Sequence, residues 1–480
     1  MTYLTKSLYI AGLQCPRLLW YAARKKLPEP TIDQLHRFEQ GREFEKYAHK
    51  LFPGAVNLRD KNKKQEFTSR GPKMSLVSKK TVFESVATVD NLLILTDVLE
   101  PKKNGYNLYE IKATTEVKKH HYDDLAFQKY VCEKAGLNIL KTFVIHLNKE
   151  YIKKGKINPK ELCVIEDVSD KVNSIKNVEK NIEVFSKIME SNKAPDITIS
   201  SNCNKPYACP LKDECWNILP KDNVLHLTNW RQYWKFFQQG IIDIKDIPKN
   251  AKLAEKDKII RKAVTSCKPV IDKKKIKEFL SDLKYPLYHL DFETFDTAVP
   301  IYDNSRPYQK IPFQYSLHIE QENGNTEHYE YLSSGKKDPR IDLLKQLKEE
   351  IKGKGSVIVF NKSFEVGVLQ RLAEDFPKEA KWIKNVLSRI VDLAEVFKNF
   401  YYYCPTQKGK YSIKKVLPAI TGKSYSELEI NNGGEASAQY FNSFIKGSGD
   451  DKLKQDLLLY CGLDTEGMIW ILDELKVLTK

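Results

Sequence analysis

Two rhythms of apolar and polar residues run along the chain. In the first part, Leu13–Ala23 and Leu35–Phe52 carry the three-to-four spacing of helices. Three short runs then alternate or are continuously apolar: Phe83–Val89, Leu92–Leu99 and Tyr106–Ile111. The turn signals Asp90-Asn91 and Lys103-Asn104-Gly105 separate them, which predicts strands. A helix over Asp123–Ala135 and a strand over Lys141–Leu147 follow. The last part opens with an apolar strand, Pro286–Phe292. Strands near Phe313–Ile319 and Val357–Phe360 come next, interleaved with helices at Ile341–Lys352, Phe364–Phe376 and Lys452–Leu478. Strands alternating with helices in both parts predict an α/β fold class. The stretch Lys249–Glu278 lacks glycine and holds 11 Lys/Arg against 4 Asp/Glu. It reads as a basic helical connector, either a solvated helix face or a nucleic-acid contact. The expected domains are therefore 1–220 and 281–480, joined by 221–280.

Composition narrows the class. A length of 480 residues suits two or three domains. With 41% hydrophobic and 30% charged residues, the chain can build more than one core. The formal net charge of +16 excludes an acidic solvating protein and favours a polyanionic partner. Apolar stretches such as Asn91–Leu95 and Met468–Leu472 fall far short of the ~18 residues that span a bilayer. The beginning MTYLTKSLYIAGLQCPRLLW has no signal-peptide core and cleavage site. A soluble cytoplasmic protein without a membrane partner is expected, and its nine cysteines should be reduced, metal-bound or buried rather than paired.

The segment ILTDVLEPKKNGYNLYEIK ends one strand in Asp97 and carries Glu110 and Lys112 on the next. Residues i and i+2 of a strand share a face, so Glu110 and Lys112 project together while Ile111 turns inward. Two carboxylates would hold a hard cation such as Mg²⁺, and that cation would activate water and polarise a phosphate. Lys112 would orient the water or stabilise developing charge. A plain surface salt bridge is the competing reading. The following helix carries Gln128 amid apolar residues, and upstream RFEQGREFEKYAH carries Gly41 and Glu45. In that order these elements resemble the RecB-like PD-(D/E)xK nucleases, which have a restriction-endonuclease-like fold. The family usually has His four residues after the glycine. Here Glu45 stands there, and His49 lies one turn on. Thr96 stands where the motif name has Pro. The resemblance implies Asp97, Glu110 and Glu45 as metal ligands, with Lys112 and Gln128 completing the site.

Cys15 in LQCPRLLW and the trio Cys203, Cys209 and Cys215 in SNCNKPYACPLKDECW bracket this region. The C-x5-C-x5-C spacing lacks the paired rhythm of a zinc ribbon. One distant and three clustered cysteines resemble the iron–sulfur members of the same superfamily. The resemblance implies a [4Fe–4S] cluster on these four thiolates, clipping both ends of the domain together. A Cys₄ zinc site and four unrelated thiols are the alternatives. Cys132, Cys163, Cys267, Cys404 and Cys461 lie in apolar elements and are expected in the core.

The strand YPLYHLDFETFD ends in Asp291 and Glu293 on one face. Like charges so close are costly without cations, and such a pair suits two metal ions about 4 Å apart. The competing reading is a satisfied pair at a sheet edge. SVIVFNKSFEVGVLQRLAE places Glu365 where a strand meets a helix, and LLLYCGLDTEGMIWIL presents Tyr460 and Asp464 at i and i+4 of one helix. This order resembles the DEDD exonucleases, which have an RNase H-like fold with a mixed central sheet. Glu365 stands where the family has Asp, and Tyr460 marks the tyrosine form of the third motif. The resemblance implies that Asp291, Glu293, Glu365 and Asp464 ligate two Mg²⁺ or Mn²⁺ ions and that Tyr460 positions the attacking water. Asp392 in IVDLAEVF stands where relatives have a further acid. RPYQKIPFQYSLH, Arg306 to His318, is either a strand-end binding surface or a core strand. SYSELEINNGGEASAQYF also resembles the family, without an evident chemical role.

The whole order resembles an uncharacterised bacterial RecB-like nuclease family. The expectation is a metal-dependent phosphodiesterase that degrades DNA ends. The first part would be a RecB-like nuclease and the second a 3′→5′ exonuclease on single strands, in repair, recombination or defence, with a helicase or repair partner. Binding should weaken steeply with salt. An RNA exonuclease is the alternative among enzymes. A nucleic-acid-binding scaffold with one or both sites dead, motivated by Glu45 and Glu365, is the alternative outside them.

Overall fold

A computed structural model describes residues 2–58, 80–197 and 199–480. The chain divides into two compact units, Met1–Asn217 with Thr297–Gln309, and Ile218–Asp296 with Lys310–Lys480. Both are α/β with mixed sheets.

The first unit is built on seven strands: β1 (Leu4–Thr5), β2 (Val56–Asn57), β3 (Val82–Val89), β4 (Leu92–Lys102), β5 (Gly105–Lys112), β6 (Ile139–Leu147) and β7 (Cys163–Asp167). They lie in the order β2-β3-β4-β5-β6-β7, with β1 pairing parallel to β4. The meander β3-β4-β5 is antiparallel, and β5 and β6 are parallel. The helices α1 (Lys6–Gln14), α4 (Lys119–Lys134) and α5 (Val178–Glu190) share one core with the sheet, built on Leu4, Tyr9, Leu108, Phe127, Val144 and Phe185. Helix α3 (Ile32–His49) contributes Phe44 and Ala48 to a second cluster with Tyr109 and Ile145. Alternation along β5 thus sends Leu108 and Glu110 toward α1 and α4, and Tyr109 and Ile111 toward the other cluster. The expected helix Leu13–Ala23 is two helices. Cys15 ends α1 and caps α2 (Pro16–Ala23), its Sγ accepting from Leu18 N at 3.4 Å. Pro16 at the first turn of α2 has no N–H to give, which starts a helix and cannot continue one.

The second unit carries a five-stranded sheet in the order β11-β10-β9-β12-β13, plus the small pair β8 (Val270–Ile271) and β14 (Tyr402–Tyr403). β9 (Leu287–Phe295), β10 (Ile311–Glu320) and β11 (Thr326–Leu332) are antiparallel, while β12 (Val357–Val359) and β13 (Ile390–Asp392) run parallel to β9. One face packs Leu290, Phe292, Tyr315 and Leu317 against α9 (Arg340–Glu350), α10 (Lys362–Asp375) and α11 (Ala380–Leu387). The other face meets α14 (Asp451–Thr479), where Gln314 Nε2 donates to Leu457 O at 2.7 Å and Ser316 and Thr465 hydroxyls bond at 2.7 Å.

The stretch expected as a basic helical connector is helical and falls within the second unit. Helices α6 (Trp230–Gln238), α7 (Glu255–Ser266) and α8 (Lys273–Ser281) lie in the second unit. Val224, Phe236, Ile260, Ala263 and Val264 build a core there with Phe400 and Tyr403. The lysines that dominate the sequence occupy the exposed faces of these helices, including Lys258, Lys262, Lys274 and Lys277. The block Arg306–His318 also resolves: its part from Ile311 onward is β10, buried almost throughout, and Phe313 stacks on Tyr440 at 3.8 Å. Its aromatic residues fill a core. Of the five cysteines expected in the core, Cys132, Cys163 and Cys461 are buried and Cys404 is half-buried, but Cys267 is exposed. Cys267 ends α7 in the left-handed conformation, φ 53°, which turns it out of the helix's apolar face.

Candidate functional site

Asp291 in the middle of β9 and Glu293 near its end lie on the face that α14 covers. Oxygens of Asp291, Glu293 and Asp464 lie within 4.8 Å of one another, the only such group among the described residues. Glu365 reaches the same cavity of about 220 Å³ from the first turn of α10, and Tyr460 from α14. Asn361, at φ 83°, makes the sharp turn from β12 into α10. The amides of Asn361 and Ala394 both donate to Asp392 Oδ1 at 3.0 Å, so Asp392 holds that turn. Its charge also raises the proton affinity of Glu365.

Crowding these acids in a buried place costs charge. Burial, then Asp464, pushes Glu293 up to about 8. Burial likewise pushes Glu365 up to about 8, with Asp392 and Asp464 adding to it. Asp464 rises to about 6 through burial, against the hydrogen bond from Tyr425 and the charge of Lys414. Asp291 is held well above its ordinary range by burial, Asp464, Glu293 and Glu365. Glu365 Oε2 is buried and has no hydrogen-bond partner among the described residues. Protons or cations must neutralise such a set.

Four further residues complete the site. Tyr425 Oη donates to Asp464 Oδ1 at 2.5 Å, and Lys414 Nζ donates to Tyr460 Oη at 2.8 Å. Cys461 Sγ lies 3.6 Å from Asp291 Oδ2. A Cβ on Gly433 would stand 3.4 Å from Glu293 Oε2, so that position keeps the backbone close. Tyr425 and Gly433 belong to the segment SYSELEINNGGEASAQYF, which bears on this site through them.

In the first unit, Asp97, Glu110, Lys112 and Glu45 line one cavity of about 620 Å³, together with Lys6, Arg37, Gly41 and Glu84. Lys112 Nζ sits 2.7 Å from Glu110 Oε1 and 2.8 Å from Asp124 Oδ2. Gln128 Nε2 donates to Glu110 Oε2 at 2.7 Å and to Asp124 Oδ1 at 3.0 Å. Asp97 Oδ2 accepts from Ile111 N at 2.7 Å. Lys6, where β1 enters α1, lies 3.1 Å from Asp97 Oδ1 and 3.0 Å from Glu110 Oε1. Burial alone would raise Glu110, but Lys112 and Lys6 hold it far below its ordinary range. Burial and Glu110 together push Asp97 up to about 6. Glu45 Oε1 is 3.6 Å from His49 Nε2, and the His49 ring stacks on Phe83 at 3.9 Å. Lys6 and Asp124 gave no sequence signal. Asp124 sits four residues before Gln128 on one helix face, whereas Lys6 reaches the site only through the parallel pairing of β1 with β4.

Cys15, Cys203, Cys209 and Cys215 are all free thiols and line one cavity of about 150 Å³. Gln14 Nε2 ties the end of α1 to this loop by donating to Asn202 O at 3.0 Å and Tyr207 O at 2.9 Å. Arg17 pairs with Glu214 at 3.0 Å. No three of the four sulfurs lie within 4.8 Å of one another.

Among the described residues, no helix is long and apolar enough to cross a membrane. A family model described as a domain of unknown function (DUF2779) matches residues 288–412. That span holds Asp291, Glu293, Glu365 and Asp392 and stops short of Lys414, Tyr460 and Asp464. The uncharacterized protein UU173 of Ureaplasma parvum is 28% identical over 223 residues, 40% of this chain and 31% of its own length. The uncharacterized MG366 homolog of Mycoplasma pneumoniae is 29% identical over 226 residues, 41% of this chain and 33% of its own. The uncharacterized MG366 of Mycoplasma genitalium is 28% identical over 221 residues, with the same shares. The chain thus spans about a third of the length of these curated relatives.

Proposed function

We propose that the second unit is a metal-dependent phosphodiesterase trimming nucleic-acid strands from the 3′ end, single-stranded DNA foremost. The observation that carries this is the convergence of Asp291, Glu293, Glu365 and Asp464 on one cavity beside Tyr460. The donor set fits divalent cations: oxygen ligands only, those of Asp291, Glu293 and Asp464 within 4.8 Å of one another, with proton affinities raised by burial and crowding and one buried Glu365 oxygen unpartnered. Mg²⁺ or Mn²⁺, when bound, would polarise the scissile phosphate and acidify a water. Asp291, Glu293, Glu365 and Asp464 would hold the ions. Tyr425 steadies the Asp464 carboxylate, Asp392 steadies the turn that aims Glu365, and Tyr460 would orient the attacking water. The mixed sheet, three antiparallel strands continued by two parallel ones, supports an RNase H-like fold for this unit.

For the first unit we propose a RecB-like nuclease of restriction-endonuclease-like fold. Support comes from Asp97, Glu110, Lys112 and Gln128 meeting on one face, with Glu45 lining the same cavity. Lys6 now neutralises Asp97 and Glu110, so a divalent ion there would have to displace it. The four cysteines fit a [4Fe–4S] cluster. They line one small cavity, and Cys15 Sγ takes an N–H donor. The cluster would join the two ends of the unit. Repair, recombination or defence, with a helicase feeding ends, is the setting that such an activity suits.

The test is a Mn²⁺-dependent assay on single-stranded DNA labelled at its 5′ end, with an RNA of the same sequence in parallel. A shrinking DNA ladder, lost in Asp464→Ala, is expected. Binding without shortening of either polymer would overturn the enzyme reading, and shortening of RNA alone would reassign the substrate.

A further inference from the structure

We propose that Lys414 is the group that receives the phosphate of the strand's end at the second unit's site, working with Tyr460 as one device. This rests on the nuclease reading above and names a residue outside the four-acid and tyrosine set. Lys414 is the second residue of α12 (Ile413–Thr421) and lines the cavity that Asp291, Glu293, Glu365, Tyr460 and Asp464 line. Its Nζ donates to Tyr460 Oη at 2.8 Å and to Asn431 O, and lies 4.7 Å from the Tyr460 ring centre and 5.5 Å from that of Tyr425. Asp464, Glu293 and Asp291 all attract it, yet its hydrogen-bond partners are a carbonyl and a phenol. Among the described residues no carboxylate pairs with it directly.

That choice of partners separates Lys414 from the lysines of the first unit. Lys6 and Lys112 touch carboxylates at 2.7–3.2 Å, and their charge is engaged there. Lys414 is held in place by neutral acceptors, so no direct ion pair occupies the donor that faces an anion entering the cavity. An ammonium has three N–H donors, and two are engaged here. The third, with the charge, suits a phosphate oxygen. Tyr460 is set by the same contact. Its oxygen accepts from Lys414, so its single proton must serve another acceptor, which orients the phenol as a donor. A half-buried lysine that hydrogen-bonds none of the acids beside it keeps a donor for a ligand, and a phosphodiester arriving among metal-binding acids is such a ligand.

The test uses the full chain and four variants: Lys414→Met, Lys414→Arg, Tyr460→Phe and the Lys414→Met/Tyr460→Phe double. Two readouts are needed, turnover on 5′-labelled single-stranded DNA with Mn²⁺, and affinity for a fluorescent oligonucleotide in Ca²⁺. Lys414→Met is expected to lose about 10²–10³-fold in kcat, as when one donor to a developing oxyanion is removed. It should bind the oligonucleotide about tenfold more weakly, and keep its bound Mn²⁺. Lys414→Arg should recover most of the affinity. The Lys414→Met/Tyr460→Phe double variant should lose no more than the worse single variant, because each acts through the other. Turnover and affinity of Lys414→Met within threefold of wild type would overturn the proposal. So would loss of Mn²⁺ together with activity, which would make Lys414 a support of the acids. If the wild type trims nothing, the enzyme reading fails while the affinity series still decides for or against Lys414.

Discussion

Lys6→Met is the perturbation that most directly probes the first unit. Lys6 Nζ lies 3.1 Å from Asp97 Oδ1 and 3.0 and 3.2 Å from the two oxygens of Glu110, whose side chain is 1% exposed. Removing one partner of a buried pair costs about 3–5 kcal/mol, because the other charge is left uncompensated. Two features reduce that figure here. The Lys6 side chain is 26% exposed, and Lys112 remains 2.7 Å from Glu110. A loss of roughly 2–3 kcal/mol is therefore expected. In a unit of this size that corresponds to a drop of about 4–12 °C in Tm. Asp97, already at about 6, should rise further, since Lys6 is among the groups that lower it. Methionine keeps the length of the side chain without its charge, and the two acids become available to a divalent ion. With free Mn²⁺ at 100 times its Kd, binding returns about 2.7 kcal/mol, enough to restore the original Tm. The assay is calorimetry with and without Mn²⁺ in an Asp291→Ala/Asp464→Ala background, where the second site is silent. Equal melting of Lys6→Met and its parent in EDTA, with equal Mn²⁺ response, would refute the idea that Lys6 stands where a cation would.

Two further outcomes follow from the thiols and from the crowded acids. Protein purified without oxygen should be brown, with absorbance near ~400 nm, and Cys209→Ser should lower the melting of the first unit far more than Cys267→Ser, whose thiol is exposed; colourless protein with one zinc per chain would exclude the cluster. Glu293 and Glu365 at about 8 and Asp464 at about 6 lie above their unfolded values, so their neutral forms are the favoured ones in the metal-free fold. The stability this contributes is complete below about pH 4 and is lost as pH rises through 6 to 8. Metal displaces those protons, so the Tm gained on adding Mn²⁺ should grow from pH 5 to pH 8.5. A gain that stays flat would contradict the shared proton load.

What the sequence could reveal about these sites depended on how far apart the cooperating residues lie. Glu110 with Lys112, and Asp291 with Glu293, are legible because a strand repeats every two residues, and Tyr460 with Asp464 because a helix brings i and i+4 together. Cys15 was visible only as one cysteine set against a distant trio. The connector misled because its lysines dominate a linear reading, while the buried stripe of Ile260, Ala263 and Val264 is sparse. The partners that set the charge of each site were beyond reach. Lys6 is 91 residues from Asp97 and 104 from Glu110, and Lys414 is 46 from Tyr460. They meet only through tertiary pairing. Those unseen partners are what distinguish two clusters that look alike on paper. In the first unit, Asp97, Glu110 and Asp124 meet Lys6 and Lys112 in direct pairs, and Glu110 stays ionised. In the second, four acids face a lysine bound elsewhere, and their carboxyls retain protons well above the usual range. Neutralisation from within lets the first site stand without a metal. The second remains short of positive charge, which makes it the stronger candidate for divalent ions and for the chemistry they bring.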